Sequence, residues 1–291
     1  MKPAPFEYAA PETLEEALAL LAEHGDEAKV IAGGQSLVPL LALRLAAPTV
    51  LVDLNRVGGL SHLRLDGDTL VAGALVRHRD VESLPGLAER CALLSDGVGL
   101  IGHVAIRNRG TVGGSLAHAD PAAEWPSLLL ALDGEVDARG PGGSRTIPAA
   151  GFFDTYFTTA LRPDEVLTEV RLRLPGGRVG SAYLELARRH GDFAIAGAGA
   201  ILGLGEDGRV LDGRVVLIGV RDTAVRSAGA EAVLRAGEPG DELFAEAAEA
   251  IDGEIDPVSD LHGSSDYRRK VAKVLVRRAL ARALERVPGG A

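Results

Sequence analysis

Two rhythms of hydrophobic positions alternate along this chain. From Thr13 to His24, the apolar residues Leu14, Ala17, Leu18 and Leu21 fall on one face of a helix; Thr13 and Glu16 make a capping box and Gly25 follows as a stop signal. Val30-Ile31 after Lys29 reads as a buried strand, 50–54 as another, and 63–65 with 69–75 flank Asp66-Gly67, a hairpin signal. Helical spacing returns through Leu87, Cys91, Leu94 and Val98. A strand-like stretch at 166–174 runs into Pro175-Gly176-Gly177-Arg178, which breaks both helix and sheet and marks the domain boundary. Beyond it the pattern predicts strands at 182–187, 194–204 and 210–220, with a turn at 205–208, and then helices at about 227–236, 241–252 and 266–286. The expected organisation is α+β: a domain over 1–175, with lobes of about 1–55 and 56–175, and a domain over 176–291 made of a three-stranded antiparallel sheet and helices.

Two glycine pairs interrupt this order at informative places. Ala32-Gly33-Gly34-Gln35-Ser36 leaves the strand that begins at Lys29, and Thr111-Val112-Gly113-Gly114-Ser115 forms a second loop of the same character. Glycine removes the Cβ that would keep a ligand from the backbone, and it turns successive N–H groups into one concavity suited to a pyrophosphate. Two such loops point to a dinucleotide. Gly97-Val98-Gly99-Leu100-Ile101-Gly102 fits the G-x-G-x-x-G fingerprint, but that motif requires a strand before it, and the preceding residues have helical spacing. It reads as a helix C-terminus.

The second loop sits in a distinctive string, Ile101-Gly102-His103-Val104-Ala105-Ile106-Arg107-Asn108-Arg109-Gly110-Thr111-Val112-Gly113-Gly114-Ser115-Leu116-Ala117-His118-Ala119-Asp120-Pro121-Ala122-Ala123-Glu124-Trp125-Pro126. With the first loop, Arg162–Leu167, Arg188–Ala196 and Asp266–Arg269, it resembles the FAD-binding medium subunit of the molybdenum hydroxylases, the carbon monoxide dehydrogenase and xanthine dehydrogenase family, along nearly the whole chain. The resemblance implies a two-lobed FAD domain of the vanillyl-alcohol oxidase type followed by a smaller α+β domain. It places Lys29, Ala32, Gly33, Gly34, Gln35 and Ser36 along the pyrophosphate and ribityl chain, Thr111, Gly113, Gly114 and Ser115 in the second binding loop, and Leu167 beside the nucleotide. It further implies that Glu124 accepts hydrogen bonds from ribityl hydroxyls and that Phe193, where relatives often carry tyrosine, covers one flavin face.

Composition narrows the partners. A net charge of −10 argues against nucleic acid, whose phosphates need a basic surface. The single cysteine, Cys91, cannot make a disulfide framework or hold an iron–sulfur cluster, and its helical spacing with Leu87 and Leu94 reads as structural. No signal-like start and no apolar run of about 18 residues are visible, so a cytoplasmic protein without a membrane span is expected. His103, His118 and His190 match no metal-ligand spacing or nucleophilic triad and read as structural. Arg268, Arg269, Lys270, Lys273, Arg277, Arg278, Arg282 and Arg286 read as a basic face of the last helix, with Val271, Val274, Leu275 and Leu284 on its apolar side.

The reading that follows is an electron-transfer flavoprotein subunit with noncovalent FAD. The molybdenum cofactor and [2Fe-2S] clusters would sit on a large and a small partner subunit, in a dimer of heterotrimers that passes electrons to an external acceptor. Two other functions fit the same residues. A free-standing flavin oxidase would need its own substrate pocket and often a covalent flavin link, for which Gln35 stands where a histidine could serve. A nucleotide-binding assembly module would hold FAD without redox turnover.

Overall fold

The computed structural model describes residues 2–289; Met1, Gly290 and Ala291, at the ends of the expected domains, lie outside the described residues. The first lobe is built by β1 (Glu7–Ala9), α1 (Leu14–His24), β2 (Ala28–Ile31), α2 (Leu37–Ala42) and β3 (Val50–Asp53). Its three strands lie in the order β1-β3-β2, all parallel, because helical crossovers return the chain to the same end of the sheet before each new strand. The predicted capping box is present, with Thr13 Oγ1 accepting from Glu16 N and Glu16 reaching back to Thr13 N. Ala17, Leu18 and Leu21 pack on Val50 and Val52. Burying that stripe is what makes an 11-residue helix stable.

The second lobe contains β4 (Leu63–Asp66), β5 (Thr69–Gly73), α3 (His78–Glu82), α4 (Leu87–Arg90), α5 (Ala92–Leu100), α6 (Val104–Arg107), α7 (Val112–His118), α8 (Glu124–Ala131), β6 (Glu135–Gly140), β7 (Gly143–Pro148), β8 (Phe153–Thr155), β9 (Thr158–Thr159) and β10 (Val166–Arg173). The hairpin expected around Asp66-Gly67 forms, and its strands join a five-stranded antiparallel sheet ordered β4-β5-β10-β6-β7. One helix had been expected through Leu87 and Val98. The backbone instead breaks at Cys91, with φ −155° and ψ 86°, and the freed Leu93 N–H donates to Ser181 Oγ at 3.0 Å. Gly97 and Gly99 then lie inside α5 and Gly102 follows its end, so the G-x-G-x-x-G match is helical. Cys91 is buried, and burial pushes its thiol up to about 11, as befits a packing residue.

The third group consists of β11 (Val179–Ala187), β12 (Ala194–Leu204), β13 (Val210–Ile218), β14 (Val225–Arg226), α9 (Ala228–Leu234), α10 (Asp241–Ala250) and α11 (Ser265–Glu285). The sheet is antiparallel in the order β11-β12-β13-β14; the last, two-residue strand lies beyond the three expected from the pattern. Its two faces enter different cores. Tyr183, Ile201 and Val216 pack toward α5 and α8, whereas Ala196, Ala198 and Ala200 pack with Ala272, Ala279 and Ala283 of α11. Small residues on both sides let the helix approach the sheet closely. A Cβ on Gly180 would stand 1.9 Å from Ala283 O.

Half of the expected basic face of α11 is exposed, at Lys270, Arg277, Arg278 and Arg282, and the other four side chains are tied to the rest of the protein. Arg268 is buried and its guanidinium donates to Ile195 O, Gly219 O and Asp260; Arg286 pairs with Asp96 at 2.6 Å, Arg269 with Asp252, and Lys273 with Glu249. The apolar stripe is correspondingly rotated to Ala272, Leu275, Val276, Ala279, Leu280 and Ala283, leaving Val274 exposed. Among the described residues no helix is long and apolar enough to cross a membrane.

The Gly180–Ala283 approach yields a stability test. Gly180→Ala is expected to cost about 1–3 kcal/mol through overpacking, whereas Gly142→Ala, with nothing within 4 Å of its added Cβ, should change stability by less than about 0.5 kcal/mol. Urea unfolding of both variants checks this.

Candidate FAD site

The two glycine loops meet backbone to backbone. A Cβ on Gly33 would lie 2.4 Å from Arg109 O and 2.7 Å from Gly110 Cα, so only glycine permits this contact. The junction is braced from both lobes: Asn55 Nδ2 donates to Ala32 O at 2.7 Å, and Arg77 donates to Asn55 Oδ1 at 2.7 Å and to Arg109 O. Asn55 is held in turn by Asp53 Oδ1, while Tyr8 donates to the other oxygen of Asp53.

Within this junction the loops are not equivalent. Between β2 and α2, the backbone N–H groups of Gly33, Gly34, Gln35 and Ser36 donate to no protein acceptor among the described residues. Gly34 has φ +72°, a conformation that favours glycine. Ala32 brings the chain in from β2, Gln35 turns its side-chain amide back to Gly33 O at 2.9 Å, and Ser36 leads into α2. These four adjacent amides form an open donor cradle for an anion.

The second loop is closed. Thr111 caps α7, its Oγ1 accepting from Gly114 N at 3.1 Å; Val112 N donates to Val76 O, Gly113 N to Ala74 O and Ser115 N to Thr111 O. Its amides are thus committed within the protein, and its contribution is close approach. A Cβ on Gly114 would come within 3.9 Å of Ala32 Cβ, in the first loop, and Ser115 keeps a part-buried side chain on the first turn.

Behind the second loop lies a pair absent from the candidate residues. His78 N donates to Gly110 O at 3.1 Å, and its ring, buried, accepts from Trp125 Nε1 through Nδ1 at 3.0 Å. Burial, together with the charges of Arg77 and Arg107, lowers the imidazole to about 3, so it is neutral with its proton on Nε2. The partners are 47 residues apart. The only local clue was an indole N–H in an apolar stretch, which demands a buried acceptor.

The remaining candidates spread outward. Lys29 is exposed on β2, and its charge reaches His118. Leu167 is buried in β10 opposite Ala138, in the core of the second lobe and outside both loops. Phe193, 67% exposed between β11 and β12, lines a cavity of about 750 Å³ with Asp120, Tyr156 and Arg268. His118 packs on Phe157, and the His103 and His190 rings lie 6.2 Å apart. Glu124 opens α8; burial, then Glu185 and Asp120, push its carboxyl up to about 8, against the pull of its own backbone N–H. These influences favour its uncharged form.

An open amide cradle at a two-lobe junction agrees with what sequence families show. Residues 4–175 match the FAD binding domain in molybdopterin dehydrogenase, and residues 181–283 match the CO dehydrogenase flavoprotein C-terminal domain. The chain belongs to this flavoprotein family. It is 45% identical to the 6-hydroxypseudooxynicotine dehydrogenase complex subunit alpha of Paenarthrobacter nicotinovorans, over 98% of this chain and 97% of that one. It is 38% identical to the carbon monoxide dehydrogenase medium chain of Hydrogenophaga pseudoflava, over 96% and 97%. A solved carbon monoxide dehydrogenase from that organism superposes with a TM-score of 0.95 at 39% identity, covering 99% of this chain and 100% of that one. The protein is therefore an FAD-binding medium subunit of the molybdenum hydroxylase type, and its fold is the family's: an FAD domain followed by a smaller flavoprotein domain.

The donor set fits FAD. The Gly33–Ser36 amides have no protein acceptor among the described residues, beside a glycine junction that an added Cβ would fill. Gly33→Ala is expected to force the loops apart and weaken FAD binding about tenfold or more, a loss of about 1.4 kcal/mol, measured by titration calorimetry. His78 gives a pH test. Its folded pKa lies below the unfolded value, so stability is lost as pH falls from about 6.5 toward 3, by at most about 1.4 kcal/mol per unit. In His78→Gln that component of the slope should vanish in urea unfolding followed across this range.

Proposed function

We propose that this chain is the flavin-bearing electron-transfer subunit of its complex, standing between iron–sulfur clusters on a small partner subunit and an external electron acceptor. The observation that carries this reading is the open cradle of Gly33–Ser36 amides locked against Gly110 in a chain that has one, buried, cysteine. Such a chain can hold a pyrophosphate, and it must rely on others for cluster ligands. The name-bearing substrates of relatives at 34–45% identity range from carbon monoxide to caffeine, 6-hydroxypseudooxynicotine and glyceraldehyde. That spread supports a substrate site on another subunit.

In this reading Gly33, Gly34, Gln35 and Ser36 bind the pyrophosphate through their amides, with Ala32 and Lys29 beside it. Thr111 and Gly113 fix the second loop, while Gly114 and Ser115 approach the ligand. Glu124 meets the ribityl chain, Leu167 supports the nucleotide side from the core, and Phe193 covers the ring. When bound without a covalent link, FAD supplies the exchange of electrons between one-electron clusters and a two-electron acceptor. The protein's part is to bind, orient and shield it. The domains divide at 175/176, the molybdenum cofactor and [2Fe-2S] clusters belong to the large and small subunits, and two heterotrimers pair in the cytoplasm.

The test is stopped-flow bleaching of bound flavin by candidate substrates, with and without reconstituted partners. Bleaching is expected only with both partners present. Rapid bleaching of the lone chain by an organic substrate would favour the free-standing oxidase.

A further inference from the structure

Glu185 is a part-buried acid that the proposed function does not use. It lies on β11, two residues beyond Tyr183 and therefore on the same face of the strand. That face packs on α8: the Tyr183 hydroxyl is 2.9 Å from Ser127 Oγ, which donates to Glu124 O at 2.8 Å. Glu185 pairs with Gly197 on β12 and Gly197 with Ile218 on β13, and the next residue, Gly219, donates to Pro121 O three residues before Glu124, so Glu185 lies level with the N-terminal end of α8. Glu185 Oε2 is buried and has no hydrogen-bond partner.

Among the described residues the charged and titratable groups acting on Glu124 are Glu185 and Asp120, Tyr183 feels both glutamates, and no lysine, arginine or histidine acts on either carboxyl. His118, on α7, acts with Asp120 rather than with Glu124. Two carboxylates in such a place repel each other without relief, so the pair retains a proton at neutral pH. The directions agree: burial raises Glu185 to about 7, and burial with Glu185 raises Glu124 further.

We propose that Glu185 is a positioning residue that keeps Glu124 a neutral acid, and that in this form Glu124 donates its proton to a ribityl oxygen while its carbonyl oxygen accepts. The proposal rests on Glu124 meeting the ribityl chain, and it gives that contact a direction opposite to the one expected for a carboxylate. A neutral acid both donates and accepts, whereas an ionised one only accepts. Ligand binding then favours the protonated form, so FAD affinity is flat on the acid side and falls as pH rises through the titration of Glu124.

The experiment is a pH series of FAD dissociation constants for the purified protein, by calorimetry in buffers of different ionisation enthalpy. In the parent, the constant should rise with pH above neutrality toward a limiting slope of about tenfold per unit, with proton uptake on binding. In Glu185→Gln the rise should begin at lower pH, and Glu185→Asp, which retains an acid, should stay near the parent. In Glu124→Gln the pH dependence should disappear. A flat parent profile, tighter binding at high pH, or an unshifted Glu185→Gln profile overturns the proposal. Infrared difference spectra of the parent give a second reading that needs no Glu185 variant to fold: a protonated carboxyl band at pH 7, weakened in Glu124→Gln, is expected, and a band that Glu124→Gln leaves unchanged overturns the proposal. Failure of the parent to bind FAD at any pH would instead remove the functional reading beneath it.

Discussion

The backbone contact between Gly33 and Arg109–Gly110 is the constraint around which the site is organised. Two chain segments more than seventy residues apart touch without side chains between them, and the amides of Gly33–Ser36 stay free because the loop is held from behind. Asn55 and Arg77 supply that hold by taking up Ala32 O and Arg109 O, so these carbonyls are satisfied while the loop amides have no protein acceptor among the described residues. A preorganised cradle loses less freedom on binding than one that must be assembled by its ligand.

The C-terminal sheet extends this organisation. Its long central strand is buried on both faces and rich in alanine and glycine, which allows α11 on one side and α5 with α8 on the other to close against it. Arg268 then ties the ends of β12 and β13 to the loop before α11, at the wall of the cavity that Phe193 overlooks. Its guanidinium is buried with hydrogen-bond acceptors on both terminal nitrogens, and its loss would take the donor from Ile195 O and Gly219 O, whereas Asp260 keeps its bonds from the His262 and Gly263 amides. A residue that looks like part of a solvated basic face is thus an internal brace.

Electrostatics separates the two halves of the site. The Gly33–Ser36 loop offers dipoles, amides without a protein acceptor among the described residues, whereas Glu124 and Glu185 gather acids on which no described cation acts. The position of Glu124 at the start of a helix favours ionisation, yet burial and its neighbours outweigh that pull. Charge state here is therefore set by desolvation together with the neighbouring carboxylates.

What the sequence determined by itself was local. The α1 capping box, the hairpin at Asp66-Gly67, the three long C-terminal strands and their helices follow from periodicity and turn chemistry within a few residues. The first glycine loop was legible for the same reason, and the extended string around Thr111–Ser115 carried the family. Tertiary structure alone decided which amides of the two loops remain free, because that depends on Ala74 and Val76 reaching the second loop from β5 and its exit. It also decided the break at Cys91, where Ser181 from β11 takes the Leu93 amide; the inward turn of Arg268; the His78–Trp125 pair; and the proximity of Glu185 to Glu124. Each pairs groups that are distant in the chain. Periodicity reports which face of an element is buried; it carries no information about the polar atom that waits on the opposing element.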